Sequence, residues 1–240
     1  MKYFAIEHSL NEKVMGKIPQ LKEVIYNCHI YDEPKFIDNY VFDKINTNPI
    51  LANAILFSTA KQTDLLDISG SIGFSSGFLL SNKLKEIFDR FNMYGVQFFD
   101  TYIIQKKEKY DYWQAKIYDF PFQYIDFKKT SFILEDRDID RNVFKKEIMF
   151  NTFNDFSDFI NEIAYPKMIF FNVISFTPNI DLDYFSLRFT DAHKGIVSER
   201  LKNEIEIQNC TGIEFRPIEI NLNEWLKRDG HRDQIYGRSW

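Results

Sequence analysis

The chain is 240 residues long, with 30 basic and 35 acidic side chains, a net charge of −5 and 45% hydrophobic residues. This balance excludes a wholly disordered chain and lacks the basic surplus that a nucleic-acid partner demands. The two cysteines, Cys28 and Cys210, are far apart and outside any CxxC pair, so reduced thiols in a cytoplasmic protein are expected rather than a disulfide frame. The first residues, MKYFAIEH, do not read as a signal peptide, and the longest apolar run, 168–174, is too short to span a bilayer, so no membrane partner is expected. Phenylalanine is abundant, with 25 copies beside 13 tyrosines. Most must be buried, and any that cluster at the surface mark a partner site.

In chain order, residues 2–8 read as a strand. Pro19, Pro34 and Pro49 cut the next stretch into short pieces, with an edge strand at Tyr40, Val41 and Phe42 and a short helix over 51–60. A strand at 65–69 leads to glycines at 70, 73 and 77. Leu84, Ile87, Phe88 and Phe91 have the spacing of an amphipathic helix over 82–92, with Ser81 as N-cap and Gly95 just past its end. Strands at 96–104 and 112–118 flank a charged turn at 106–109. A second helix is expected over 153–165, capped by Asn151 or Asn154 and stopped by Pro166. A buried strand at 168–174, a strand at 183–189, a helix at 199–208 and a strand at 213–220 follow. The architecture is α+β with mostly antiparallel strands, taken as a single domain over 1–240, with 1–130 and 131–240 as possible lobes.

Two segments repeat. Ser81, Leu84, Lys85, Gly95 and Phe98 recur at the same offsets as Ser198, Leu201, Lys202, Gly212 and Phe215. Each describes a capped helix, a glycine stop and a strand with a buried Phe. Everything matched is structural, so the repeat speaks to fold and not to chemistry.

Three patterns touch on chemistry. Gly73-Phe74-Ser75-Ser76-Gly77 matches G-x-S-x-G, which would make Ser75 a hydrolase nucleophile if a strand preceded it and a helix followed directly. His193 and His231 are the histidines such a triad would draw on. Residues 136–147 place Asp136, Asp138, Asp140 and Glu147 at positions 1, 3, 5 and 12 of a calcium loop, but Arg141 stands where that loop needs glycine. The residues before it look β-like, so a solvated acidic turn is the expected reading. The histidines, His8, His29, His193 and His231, have no zinc-ligand spacing. No catalytic, cofactor-binding or metal residue is assigned. A hydrolase using Ser75, a calcium-dependent enzyme using the 136–147 loop and a scaffold domain remain alternatives.

The segments Gly195-Ile196-Val197-Ser198-Glu199-Arg200-Leu201-Lys202 and Thr211-Gly212-Ile213-Glu214-Phe215-Arg216-Pro217 resemble the C-terminal signature of immunity protein family eleven of bacterial polymorphic toxin systems, a former domain of unknown function. The first copy of the repeat, with the strands around Trp113 and Phe127, is similar to that family's central segment. The resemblance implies a protein that binds and neutralises a cognate toxin, with no catalytic residues to carry over. Toxin-binding residues are not assigned by it; the acidic and aromatic stretch 119–127 and the loop 135–142 are the candidate contact segments.

Overall fold

The structure is a computed structural model and describes residues 1–68, 70–75, 77–138, 142–189 and 195–239. Its strands are β1 (Tyr3–His8), β2 (Leu21–Tyr26), β3 (Ala52–Leu56), β4 (Leu65–Leu66), β5 (Gly77–Ser81), β6 (Val96–Gln105), β7 (Glu108–Ile117), β8 (Ser131–Arg137), β9 (Val143–Met149), β10 (Met168–Val173), β11 (Tyr184–Phe185), β12 (Gly195–Ser198) and β13 (Ile213–Pro217). The helices are α1 (Glu12–Met15), α2 (Asn82–Phe88), α3 (Phe153–Glu162), α4 (Glu199–Ile207), α5 (Leu222–Trp225) and α6 (His231–Tyr236). Three sheets result: six strands in the order β2-β3-β6-β7-β5-β4, four in the order β11-β12-β1-β13, and three in the order β10-β8-β9. Every named pair is antiparallel except β3–β6. The α+β class expected from sequence is therefore the one observed.

The repeat runs much deeper in the structure than in the sequence. Ser81 Oγ accepts the Leu84 N–H at 3.2 Å and donates to Asp64 at 2.6 Å. Ser198 Oγ accepts the Leu201 N–H at 3.2 Å and donates to Asp183 at 2.5 Å. Each serine thus caps its helix and ties it to an aspartate at the head of a two-residue strand. The buried hydroxyls of Tyr112 and Tyr3 donate to the carbonyl just before each aspartate, that of Thr63 at 2.8 Å and of Leu182 at 3.1 Å. Lys85 pairs with Asp89 at 2.5 Å and lies 4.9 Å from the Phe98 ring centre; Lys202 pairs with Glu206 at 2.6 Å and lies 5.5 Å from that of Phe215. Gly95 (φ 67°) and Gly212 (φ 80°) follow the two helices in the left-handed region, where a side chain would be strained.

Strand pairing follows the same plan in both copies. The order β6-β7-β5-β4 of the first matches β13-β1-β12-β11 of the second. Leu80 faces Trp113 on β7 as Val197 faces Phe4 on β1, and Ala115 faces Phe98 as Ile6 faces Phe215. In the first copy the strand in this place, β7, follows β6 through a tight turn. In the second it is β1, from the other end of the chain, so the second copy is a circular permutation of the first.

The copies interlock through reciprocal bonds. Asp64 accepts the Thr211 N–H at 2.7 Å, and Asp183 accepts the Asn92 N–H at 3.0 Å. Ile6, Leu84, Phe88, Tyr184, Leu201 and Phe215 share one core between them.

A separate Phe-rich core lies between the three-stranded sheet and α3. Phe132 is 4.6 Å from Phe171 and 4.9 Å from Phe156, ring centre to ring centre. These rings consume much of the phenylalanine surplus; Phe144 and Phe153 are the exposed ones among the described residues. The three-stranded sheet starts at Ser131, but the four-stranded sheet joins β1 to β11–β13, so the second copy of the repeat draws on both ends of the chain.

Several local expectations are corrected. Residues 52–56 form a strand, not a helix. β3 lies between β2 and β6 with Ala52, Asn53, Ala54 and Leu56 all buried, and a run buried on both faces has no alternation to separate it from a helix. Tyr40, Val41 and Phe42 are not a strand: a 3₁₀ turn at Ile37–Asn39 precedes them, and Phe42 has φ 54°. The N-cap of α3 is Thr152 rather than Asn151 or Asn154. Its hydroxyl accepts the Asp155 N–H while Asp155 accepts the Thr152 N–H, a capping box with Asp in place of Glu. The strand expected at 183–189 covers Tyr184–Phe185 only. No helix among the described residues is long and apolar enough to cross a membrane.

Candidate functional site

Loops from four parts of the chain converge beside the end of β7. The insertion between β2 and β3 brings Phe42, the turn before β5 brings Ser75, the end of β7 and the residues after it bring Ile117 and Phe120, and the segment after β11 brings Leu187, Arg188 and Phe189. Together they line a cavity of about 340 Å³. Leu187 is buried, Phe42, Ile117, Phe120 and Phe189 are half-buried, and Ser75 and Arg188 are exposed.

The rings form a continuous cluster. Phe42 meets Phe120 edge-on at 5.0 Å, Phe120 reaches Phe122 at 6.3 Å, and Phe122 reaches the exposed Phe153 at 5.6 Å. On the other side Phe189 packs on the buried Phe156 at 5.7 Å. The Arg188 guanidinium carbon lies 4.9 Å from the centre of Phe42 and 5.0 Å from that of Phe189, two cation–π contacts that hold the group over the cavity.

The loops are tied down rather than free. The Gln97 amide clasps the Ile45 backbone, accepting its N–H at 2.7 Å and donating to its C=O at 2.9 Å, which fixes the loop three residues after Phe42. Asp38 accepts the Gly73 N–H at 2.6 Å, and the buried Gln114 donates to the Gly73 carbonyl at 2.5 Å. A Cβ at Gly73 would lie 2.4 Å from the Ala52 Cβ, so this turn admits only glycine. The Phe171 N–H donates to the Phe189 carbonyl at 2.8 Å. Phe42 (φ 54°) and Phe189 (φ 61°) both sit in the left-handed region, which costs an aromatic residue about 1–2 kcal/mol each. Two bulky side chains held there at one cavity mark a place where surrounding contacts over-determine the backbone, as at ligand clamps.

The electrostatics single out one group. Lys116, next to Ile117 in the chain, is buried; burial lowers its pKa, and the Asp38 and Asp43 carboxylates oppose that shift. Asp119 accepts from the Tyr94 hydroxyl at 2.7 Å and from the Phe120 N–H at 2.8 Å. Among the described residues no carboxylate pairs with Arg188.

The other sequence candidates fall elsewhere. Ser75 stands in the turn before β5, with its strand after it and not before it, the reverse of a nucleophile elbow. Of the described histidines, His8 faces Asp67 at 3.2 Å, His29 faces Asp32 at 2.8 Å, and His231 begins α6; none lines the Ser75 cavity. His193 lies outside the described residues. Within the 136–147 segment, Asp136 and Arg137 end β8 and residues 143–147 belong to β9, with Ile139, Asp140 and Arg141 outside the described residues. Asp136 pairs with Phe144 and Glu147 with Ile133, so the two carboxylates stand three register steps apart, about 10 Å along the strand. Calcium ligands lie at about 2.3–2.6 Å from one ion, so this hairpin does not bring both ends of the loop pattern together. Asp138 instead accepts from the Asn142 backbone and side chain at 2.8 Å each, and among the described residues no cluster of three metal-ligating side chains occurs.

Of the proposed contact segments, 119–127 supplies Phe120 to the cavity. The residues that sequence missed are Phe42, Ile117, Leu187, Arg188 and Phe189. They come from segments far apart in the chain and carry no shared spacing, so only the fold unites them. No family model, no curated protein and no solved structure matches the chain.

Proposed function

We propose that the protein binds and neutralises a partner protein, a cognate bacterial toxin, by surface contact and without chemistry of its own. The observation that carries this reading is the half-buried cluster of Phe42, Phe120 and Phe189 around an Arg188 that no carboxylate among the described residues pairs with. Aromatic residues and arginine are enriched at protein–protein interfaces, and arginine ranks among the residues that dominate binding energy. Loops already fixed by hydrogen bonds lose little freedom on association. The resemblance of the two Ser-capped segments to an immunity family supplies the class of partner.

Co-expression with the large gene neighbouring this one in its own locus tests the reading. Growth rescue together with a stable complex on co-purification is the expected result. A toxic neighbour that this chain neither rescues nor binds would overturn it.

A further inference from the structure

We propose that the Arg188 cavity receives an apolar side chain of the partner that is followed directly by a carboxylate, an aromatic–acidic pair on a partner loop. The inference rests on the partner-binding reading and assigns the chemistry of the contact. Three observations converge on it. The hollow, about 340 Å³ and open to solvent, lies at the low end of the range for ligand pockets (about 300–1,000 Å³), which admits a side chain from a partner and leaves no room for a large cofactor. Its inner wall is apolar and aromatic, built from Ile117, Phe120, Leu187 and the rings of Phe42 and Phe189. At its mouth stands a guanidinium held by cation–π contacts. Such contacts fix the cation without engaging its N–H groups in hydrogen bonds, so Arg188 keeps a fork of donors suited to bidentate pairing with a carboxylate.

The charges around the cavity favour the same occupant. Asp38 is bonded to the Gly73 N–H, Asp119 to Tyr94 and the Phe120 N–H, and Asp38 and Asp43 together face the buried Lys116. Among the described residues Arg188 therefore has no carboxylate partner, and it stands beside an apolar hollow. A partner that fills the hollow brings its own carboxylate into a partly desolvated position, where charge pairing is worth more than in open water.

The test uses the full isotope-labelled chain and three short peptides, acetyl-Phe-Asp-amide, acetyl-Phe-Asn-amide and acetyl-Ala-Asp-amide, titrated by NMR. Acetyl-Phe-Asp-amide is expected to bind about tenfold more tightly than either control, with shifts at the Arg188 side chain and the Ser75 and Phe120 amides. Arg188→Gln is expected to reduce it to the level of acetyl-Phe-Asn-amide with only a small fall in the melting temperature, since the residue is exposed and loses no more than its two ring contacts. Equal affinity for the Asp and Asn peptides, no binding at millimolar concentration, or shifts confined to another surface would overturn the proposal. The two readings fail separately. Rescue that persists with toxin affinity unchanged in Arg188→Gln would sink the cavity assignment alone. Peptide selectivity without any rescue would sink neutralisation and leave the cavity standing.

Discussion

The hydroxyls of Tyr3 and Tyr112 are the same device used twice, each buried and each closing on a carbonyl beside a helix-anchoring aspartate. Burial, and after it the Asp183 carboxylate, pushes Tyr3 up to about 12; burial and then Asp64 raise Tyr112 further. Tyrosine ionises near pH 10 in an unfolded chain. Above that pH the unfolded state loses these protons while the folded state keeps them. The stability they supply is thus complete below pH 10 and drains away as pH rises through the folded values. Tyr3→Phe is expected to cost about 1 kcal/mol near neutral pH through the lost hydrogen bond. The same change should flatten the fall in stability between pH 10 and 12. Urea unfolding of both proteins at pH 8 and pH 11 measures both effects, and an unchanged alkaline slope would mean that Tyr3 already ionises in the fold.

At the level of elements, legibility followed the locality of the signal. α2 and α4 were readable because Ser81, Leu84, Ser198 and Leu201 carry cap and core face within a few residues. The β6–β7 hairpin was readable because two alternating runs flank a charged turn, in which Lys106 and Lys107 take positive φ. β3 was misread because its neighbours on both sides come from distant segments. The cavity was legible only through Ser75 and the 119–127 stretch, since Phe42 and Arg188 meet only through tertiary packing. β9 shows the same limit from the solvent side. It is an edge strand with Val143, Phe144 and Met149 exposed, and its guards are Lys145 and Lys146. Edge lysines discourage pairing with another chain. Replacing both with threonine keeps strand propensity and removes the charge. Light scattering at rising protein concentration should show the double variant associating where the parent stays dispersed; equal scattering would mean that the edge is guarded by something other than these two charges.

For the whole molecule, the permuted repeat makes the first few residues central. β1 is an interior strand, paired with β12 on one side and β13 on the other, and Tyr3, Ala5 and Ile6 are buried. Burying side chains of the size of Tyr3 and Ile6 contributes about 1.5–3 kcal/mol each, against a net stability of about 5–15 kcal/mol for a typical domain. Losing β1 also leaves the inner edges of β12 and β13 without partners, and each buried backbone group left so adds its own cost. The second copy shares its core with the first through Ile6, Tyr184 and Leu201, so the damage spreads to the six-stranded sheet. A chain lacking residues 1–9 is therefore expected to lose its cooperative thermal transition and the near-ultraviolet signal of its packed tyrosines. A synthetic peptide of residues 1–11, added in excess, should restore both, because the groove between β12 and β13 specifies its register through Phe4 against Val197 and Ile6 against Phe215. A truncated chain that melts cooperatively near the parent temperature would show instead that the second copy closes without the strand that stands where β7 stands in the first.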